Sequence, residues 1–589
     1  MTRLFALLLL AALFAAAFTG ARAQDTPKQT APVDYLIISA DGLAEVASEW
    51  AKWRTDYGRV VQIVTLSEIS KDKPPSLDAI RDTVLKQAGG EKLTPGFQVL
   101  LLGDCPVERT ETYNPKIEIP WLLTPQFDSN PEPSARVRVP TDNYLADLIE
   151  DDDHKPDIAV GRIPARSAQE ARIALAKVKA YETAPAGPWM RNLTFFAGEG
   201  RFGAQIDGML ENLFTQFAER TISQAYNVRM TYANIKSSYA YSPSRFSQKV
   251  IEEANAGSLL LCYMGHGQID RLDNMYVKVE GERLRYPILT GDDVKDFKIK
   301  DGKLPVMLII ACETGHLDND GPCLAERILF NESAPVAVLA SSRDSHPYAN
   351  VLLQKAFISE ITQNHRATLG EAIMLAKREL VEAKDPDRKQ LETMAMFILP
   401  KKAERVELNR SHISMYNLCG DPGLRMRYPT LNMTPASTGK AAAGSTADVS
   451  LKVPGTAVSG EGAEKACNWK IDLELQTRRT VIAGELKTVP EADLASADPA
   501  KRKAAEDIIA ANHATSNDKR VANFSSTFQG LKQKMTKEEL INELVYQAKF
   551  DNSLAPGDYI LKVFALDEKA QACGFTSLEI TVKEAPKKD

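Results

Sequence analysis

Histidine and cysteine are scarce in this 589-residue chain, seven of each, and those present are scattered. No cysteine stands at zinc-ligand spacing from another cysteine or a histidine, which argues against a metal enzyme. No cluster of lysine and arginine reads as a nucleic-acid face. The 72 basic and 78 acidic residues leave a formal charge of −6, and an acidic balance chiefly means solubility. No internal repeat is apparent. After Phe18 no apolar run approaches the roughly 20 residues of a membrane span. Nucleic-acid binding, membrane spanning, zinc chemistry and repeat architectures are thereby set aside.

What the chain does have begins at its first residues. Arg3, the apolar run Leu4 to Phe18 and Ala21-Arg22-Ala23 form a secretory signal over residues 1–23 with a small-x-small cleavage site. The mature chain is expected in the periplasm or outside the cell. With 44% hydrophobic residues it can bury several cores, roughly two to four domains. An exported chain permits disulfides, and Cys467 with Cys573 is the expected pair because both lie in the C-terminal region.

Two stretches carry the chemistry. Ser258 to Gly267 and Pro305 to Gly315 each contain an apolar run short enough for a strand buried on both faces of a parallel sheet. One run stops at His266 beside Gly267, the other at Ala311-Cys312. Ligands of open α/β sheets sit beyond the carboxyl ends of the strands, so neighbouring strands ending this way would present an imidazole and a thiol to one crevice. That is a nucleophile with its acid/base partner. The His-before-Cys order and spacing resemble the caspase arrangement, in which the histidine precedes by about 50 residues. Against this stands the bland alternative that a free cysteine and a single histidine are often core residues. His316 is the second candidate base; His154, His346, His365, His412 and His513 read as packing or surface residues.

Around these stretches the pattern is α/β. Strands are expected at 33–39, 60–65, 97–104 and 156–164, with helices at 43–57, 77–87 and 168–181. A second set has strands at 193–197, 228–232, 258–264, 306–311 and 336–340, with helices at 205–219, 243–255, 324–330, 348–363 and 368–383. The reading is an N-terminal α/β subdomain at 33–185, a catalytic subdomain at 190–429, a flexible linker at 430–447 and a C-terminal β-sandwich-like domain at 448–586. The interval Ala492 to Lys549 is read as a helical insertion in that sandwich. The acidic run Asp147 to Asp153 is a candidate for a structural calcium, with a solvated turn as the simpler alternative. Asp142 suits a structural or cation-binding place better than a catalytic one.

Gly265-His266-Gly267, Ala311-Cys312, Thr141-Asp142-Asn143-Tyr144, Asp157 to Pro164 and Tyr416 to Pro422, taken together, resemble the gingipain family of caspase-like cysteine peptidases over residues 33–429. The resemblance implies two side-by-side α/β subdomains followed by an immunoglobulin-like domain, endopeptidase activity through a thioester, and no required cofactor. It implies Cys312 as nucleophile, His266 as acid/base and Glu199, in Gly198-Glu199-Gly200, as an auxiliary orienting the histidine. The backbone N–H groups of Gly267 and Cys312 are expected oxyanion donors, since glycine lets the backbone approach substrate. A nearby imidazolium is expected to lower the pKa of Cys312. The family's basic-residue specificity would need a pocket carboxylate; Asp207 is preferred over Asp270 and Asp273. Where the best-known members carry an aromatic residue after the histidine motif, this chain has Gln268 to Asp273, and residues 24–32 are too few for their propeptide. Expected partners are protein or peptide substrates, with oligomeric state open. The competing reading is an exported caspase-fold binding or adhesion protein with a vestigial site.

Overall fold

The computed structural model describes residues 32–584 except 72, 108–112, 126–137, 150–152, 201–215, 383–385, 397–398, 437–438, 455–468, 522–523 and 536–539. The short apolar runs form strands whose side chains are buried on both faces: β1 (Tyr35–Ser39), β3 (Gln98–Leu102), β8 (Val306–Ile310) and β9 (Ala337–Ser341) contain no exposed residue. Together with β2 (Val61–Thr65), β4 (Ala159–Ile163), β5 (Asn192–Ala197), β6 (Asn227–Tyr232), β7 (Leu260–Met264) and β10 (Tyr416–Cys419) they build one ten-stranded sheet. Its order is β2-β1-β3-β4-β10-β9-β8-β7-β5-β6. Every neighbour pair is parallel except β9 with β10. The two side-by-side units are thus halves of one sheet, with β10, the last strand made, as the seam.

Helices cover the sheet because their apolar residues recur at helical spacing. In Ala44–Asp56 the buried residues are Val46, Ala47, Trp50 and Arg54. Ala168–Glu182 starts at Ser167, whose hydroxyl accepts the N–H of Glu170 at 3.2 Å, an N-cap.

The seam is fastened by a buried carboxylate just past β10. Asp421 accepts the hydroxyl of Tyr35 at 2.6 Å, the indole N–H of Trp50 and two N–H groups of Arg54. Arg54 also donates to Glu182 at 2.8 Å, and the side chains of Arg54, Asp421 and Glu182 are at most 1% exposed. Burial pushes the Tyr35 hydroxyl pKa up, and the Asp421 charge pushes it further.

The C-terminal region contains two four-stranded sheets. One comprises Thr434–Pro435, Thr446–Pro454, Leu540–Phe550 and Phe524–Met535; the other Lys440–Ala442, Ala572–Lys583, Gly557–Asp567 and Trp469–Gln476. Leu451, Val453, Leu544, Phe550, Leu561 and Val563 share the core of this region. The expected helical interval from 492 to 549 is helical only in part, at Glu491–Leu494 and Pro499–Asn517. Beyond it the chain pairs as long antiparallel strands. The Ala, Lys and Glu content suggested helix, but Asn542, Leu544, Tyr546, Ala548 and Phe550 are buried at alternate positions, the period of a strand.

Helix Pro499–Asn517 crosses back to the large sheet and covers β6 at its edge. The Asn517 amide accepts the N–H of Met230 at 2.8 Å and donates to its carbonyl at 2.9 Å, as a neighbouring strand would. His513 bonds the Thr231 hydroxyl at 2.9 Å. Cys573 is a free, buried thiol against the sulfur of Met190, so it is not half of the expected disulfide; Cys467 lies outside the described residues.

Removing one partner of a buried ion pair strands the other charge, at a cost of about 3–5 kcal/mol. Asp421→Ala is therefore expected to lower stability by that amount, read as a fall in the urea midpoint without loss of cooperativity. An unchanged midpoint would show that the two halves are held together elsewhere.

Candidate active site

Four strands adjacent in the sheet, β5, β7, β8 and β9, run parallel and end on the same side. Their tails are Gly198 to Gly200, Gly265 to Gly267, Cys312 to Gly315 and Ser342 to Ser345. Met264 pairs with Ile310 in register, so His266 and Cys312 each lie two residues beyond one Cα pair. The thiol is half-buried and the imidazole exposed.

Two glycine positions make this approach feasible. A Cβ on Gly267 would come within 2.7 Å of the Cys312 carbonyl, 2.8 Å of the Ala311 Cβ and 2.9 Å of the Thr314 methyl. The loop bearing His266 therefore rests directly on the Cys312 backbone. A Cβ on Gly265 would meet the Tyr263 hydroxyl at 2.5 Å and the Gly198 Cα at 3.0 Å, so the β5 tail packs equally closely behind. Tyr263 Oη donates to the His266 carbonyl at 2.8 Å. His266 Nε2 lies 3.3 Å from the carbonyl of Gly200. A carbonyl can only accept, so this contact favours the tautomer protonated at Nε2, with Nδ1 unprotonated. The turn that supplies this carbonyl is the one that carries Glu199, the residue expected to orient the ring.

Gly267 pairs with Leu272 in a short hairpin, and Leu272 turns its own N–H away to the Leu289 carbonyl at 2.8 Å. In such a non-hydrogen-bonded pair the partner's N–H also points outward, which leaves Gly267 N–H directed off the hairpin. Glu313, next to Cys312, has a left-handed φ of 55°, an uncommon conformation for a non-glycine residue. Its N–H reaches the Arg343 carbonyl at 3.2 Å, and Gly315 N–H reaches Ser341 at 2.8 Å, which fastens the Cys312 turn to the tail of β9.

Burial pushes the Cys312 thiol pKa up; the hydrogen bond from Ser345 opposes this, and the Asp344 charge adds to the rise. The backbone N–H of Ser345 thus acts in the direction that was anticipated of an imidazolium. Ser345 N–H stands 3.3 Å from Cys312 Sγ. Ser345 and its support Asn350 were not singled out in the sequence, and Tyr416 only as the first residue of the stretch Tyr416 to Pro422. A signal was available: Ser345-His346-Pro347 opens helix Pro347–Thr362 directly after the strand neighbouring that of the nucleophile.

His316, Asp270 and Asp142 bind partners of their own. His316 Nε2 lies 3.3 Å from Asp318, which is held by Arg343 through two bonds at 2.9 and 2.6 Å. Asp270 is paired with Arg271 at 2.9 Å. Asp273 is buried, with its Cβ 3.6 Å from the Cβ position of Gly198. Asp207 lies outside the described residues. Asp142 forms a buried bidentate pair with Arg162 at 2.9 and 2.6 Å, so the cation it holds is a guanidinium. Asp157 accepts the N–H groups of Leu148 and Ile149, and Asp153 is paired with Lys155. Among the described residues no group of three or more acidic, histidine or cysteine side chains converges as a metal site, and no helix is long and apolar enough to cross a membrane.

His412 supports the wall opposite. Its Nδ1–H donates to the Leu408 carbonyl at 2.8 Å and its Nε2 accepts the N–H of His346 at 2.8 Å. Burial pulls its pKa down to about 4.

A model of peptidase family C25 matches residues 28–427. No curated protein sequence matches the chain. Among solved structures, the Arg-specific cysteine proteinase gingipain R is similar at 16% identity, covering 94% of this chain and 98% of that one, with a TM-score of 0.49. The complex of pro- and mature domains of RgpB from Porphyromonas gingivalis is similar at 17% identity, covering 93% and 100%, with a TM-score of 0.47.

Two outcomes follow from this geometry. Gly267→Ala forces the backbone of the nucleophile turn to move, and overpacking of this kind costs about 1–3 kcal/mol. Iodoacetamide labelling of Cys312 is expected to slow at least several-fold, and an unchanged rate would show that the turn yields freely. His412 must be neutral in the folded state, so its contribution is complete above the unfolded pKa near 6.5 and is lost as pH falls toward 4. Stability should decline by roughly 3 kcal/mol over that window, and a His412→Gln variant should show a flatter acid limb in urea titrations.

Proposed function

The chain belongs to peptidase family C25, the gingipain family of cysteine peptidases, and we propose that it is an exported endopeptidase with Cys312 as nucleophile and His266 as acid/base. The observation that carries this assignment is the level placement of the two residues past neighbouring parallel strands, with Gly267 resting on the Cys312 carbonyl. The Cys312 thiol gives its proton to His266, and the thiolate sulfur bonds to the scissile carbonyl carbon. The oxygen that becomes anionic is received by the N–H groups of Gly267 and Cys312. As the C–N bond breaks, imidazolium returns the proton to the leaving amine. Water then attacks the thioester, with His266 taking its proton and the thiol regenerated. No step calls for a cofactor.

Export is supported by residues 1–23, and the paired C-terminal sheets fit the immunoglobulin-like domain assigned to residues 448–586. Residues 33–185 and 190–429 are the two catalytic subdomains, and the interval 430–447, expected as a flexible linker, carries Thr434–Pro435 and Lys440–Ala442 as strands of the C-terminal sheets. Substrates are cleaved after Arg or Lys. Of the three carboxylates considered, Asp207 is the preferred partner of the substrate's cation on the family resemblance, while Asp270 already holds Arg271 and Asp273 is buried beside Gly198.

Cys312→Ala and His266→Ala should each reduce casein hydrolysis by at least about a hundredfold while preserving the urea midpoint, and His316→Ala should retain most activity. An active His266→Ala with a dead His316→Ala would reverse the base assignment. A peptide library on the same preparation tests specificity: a dominant apolar or acidic residue before the scissile bond would refute cleavage after Arg or Lys.

A further inference from the structure

We propose that the backbone N–H of Ser345 is a catalytic donor to the Cys312 thiolate, held in place by Asn350 and Tyr416 acting as positioning residues. This rests on the reading of Cys312 as the nucleophile. Ser345 presents three groups to the sulfur: its N–H at 3.3 Å, its carbonyl at 3.7 Å and its hydroxyl at 3.9 Å. In the neutral form the thiol S–H has the carbonyl as acceptor. Once the proton leaves, the N–H faces an anion, and hydrogen bonds to charged acceptors are roughly twice as strong as neutral ones.

The hydroxyl is oriented from behind. Asn350 Nδ2 donates to Ser345 Oγ at 2.8 Å, and Tyr416 Oη donates to Asn350 Oδ1 at 2.7 Å. The phenol fixes which end of the amide faces Ser345, and the amide occupies an acceptor site of the serine oxygen. The O–H is then free to turn toward the sulfur. Asn350 is 6% exposed and Tyr416 fully buried, so the chain of donors Tyr416, Asn350, Ser345 operates in a low-dielectric setting where such bonds strengthen one another. The next residue, His346, gives its N–H to His412 and caps helix Pro347–Thr362. The donor thus sits at the positive end of a 16-residue helix.

Other charges near the thiol act differently. Asp344 disfavours the thiolate, Glu313 is the next residue in the chain, and Arg343 is committed to Asp318. His266, on the tail of the neighbouring strand β7, is the group assigned to receive its proton. Against burial and Asp344, the backbone and side-chain bonds of Ser345 are compensating contacts.

The test is the pH dependence of iodoacetamide alkylation at Cys312, followed by peptide mass, in the full chain and in Asn350→Ala, Asn350→Asp and Tyr416→Phe. Loss of the positioning groups should raise the alkylation midpoint by about half a unit to one unit, a three- to tenfold slower labelling near neutral pH, and Asn350→Asp should raise it further. Tyrosine and tryptophan fluorescence reports folding. If the Asn350 variants do not fold, Tyr416→Phe, which removes a single oxygen, decides. Midpoints unmoved in folded variants would overturn the proposal. The readout is separate from peptide cleavage: a shifted midpoint in a chain that cleaves nothing would refute the peptidase reading and leave the donor, whereas full cleavage with no shift would refute the donor alone.

Discussion

The attachment of Asp421 to Tyr35, Trp50 and Arg54 is the interaction on which the arrangement of the large sheet rests. β10 meets β4 through a single Cα pair, Cys419 with Arg162, a slender junction for two halves of a ten-stranded sheet. A buried carboxylate with an arginine, a phenol and an indole around it supplies what so short a strand contact does not. The same short strand has the surroundings of the Cys312 thiol at its other end, because Tyr416 reaches Asn350 and, through it, Ser345. Six residues therefore connect the N-terminal half of the sheet to the thiol.

The thiol itself stands in a balance of opposing influences. Excluding water raises the cost of the anion, and a neighbouring aspartate raises it again; against them stand a backbone donor and the start of a long helix. Backbone donors have an advantage here, since they carry no rotamer entropy and cannot swing away when substrate enters. The imidazole is held in the same manner, by the Gly200 carbonyl and by Tyr263 acting on its own backbone. Main-chain groups dominate the immediate support of both reactive residues.

Much of this was legible in the sequence because buried parallel strands are written as unbroken apolar runs. The runs ending at His266 and Cys312 are of this kind, and the rule that crevices lie past carboxyl ends brings them to one side of the sheet. The hairpin Asn274–Val279 with Glu282–Pro287 and helix Lys402–Met415 were not foreseen, since both are rich in charged residues and their burial depends on partners far away in the chain. Strand Leu540–Phe550 was hidden by helix-favouring composition, where the alternation of buried residues was the better guide. The roles of Ser345, Asn350 and Tyr416 escaped notice for a different reason. They act through a peptide group, an amide orientation and a single phenol oxygen, which residue types alone do not announce, although Ser345-His346-Pro347 does mark the helix start.

The cover that Asn517 places over Met230 has a temporal side. Some 287 residues separate the two, so a chain emerging from its amino end completes β6 long before the helix that shields it exists. During that interval the sheet offers an unpaired edge, the kind of surface that recruits strands from other molecules. Exposure ends only when the last quarter of the chain has arrived. The C-terminal region thus acts on the catalytic half as a built-in guardian of its edge, and its arrival sets the moment from which the sheet can no longer grow by adding strands at β6.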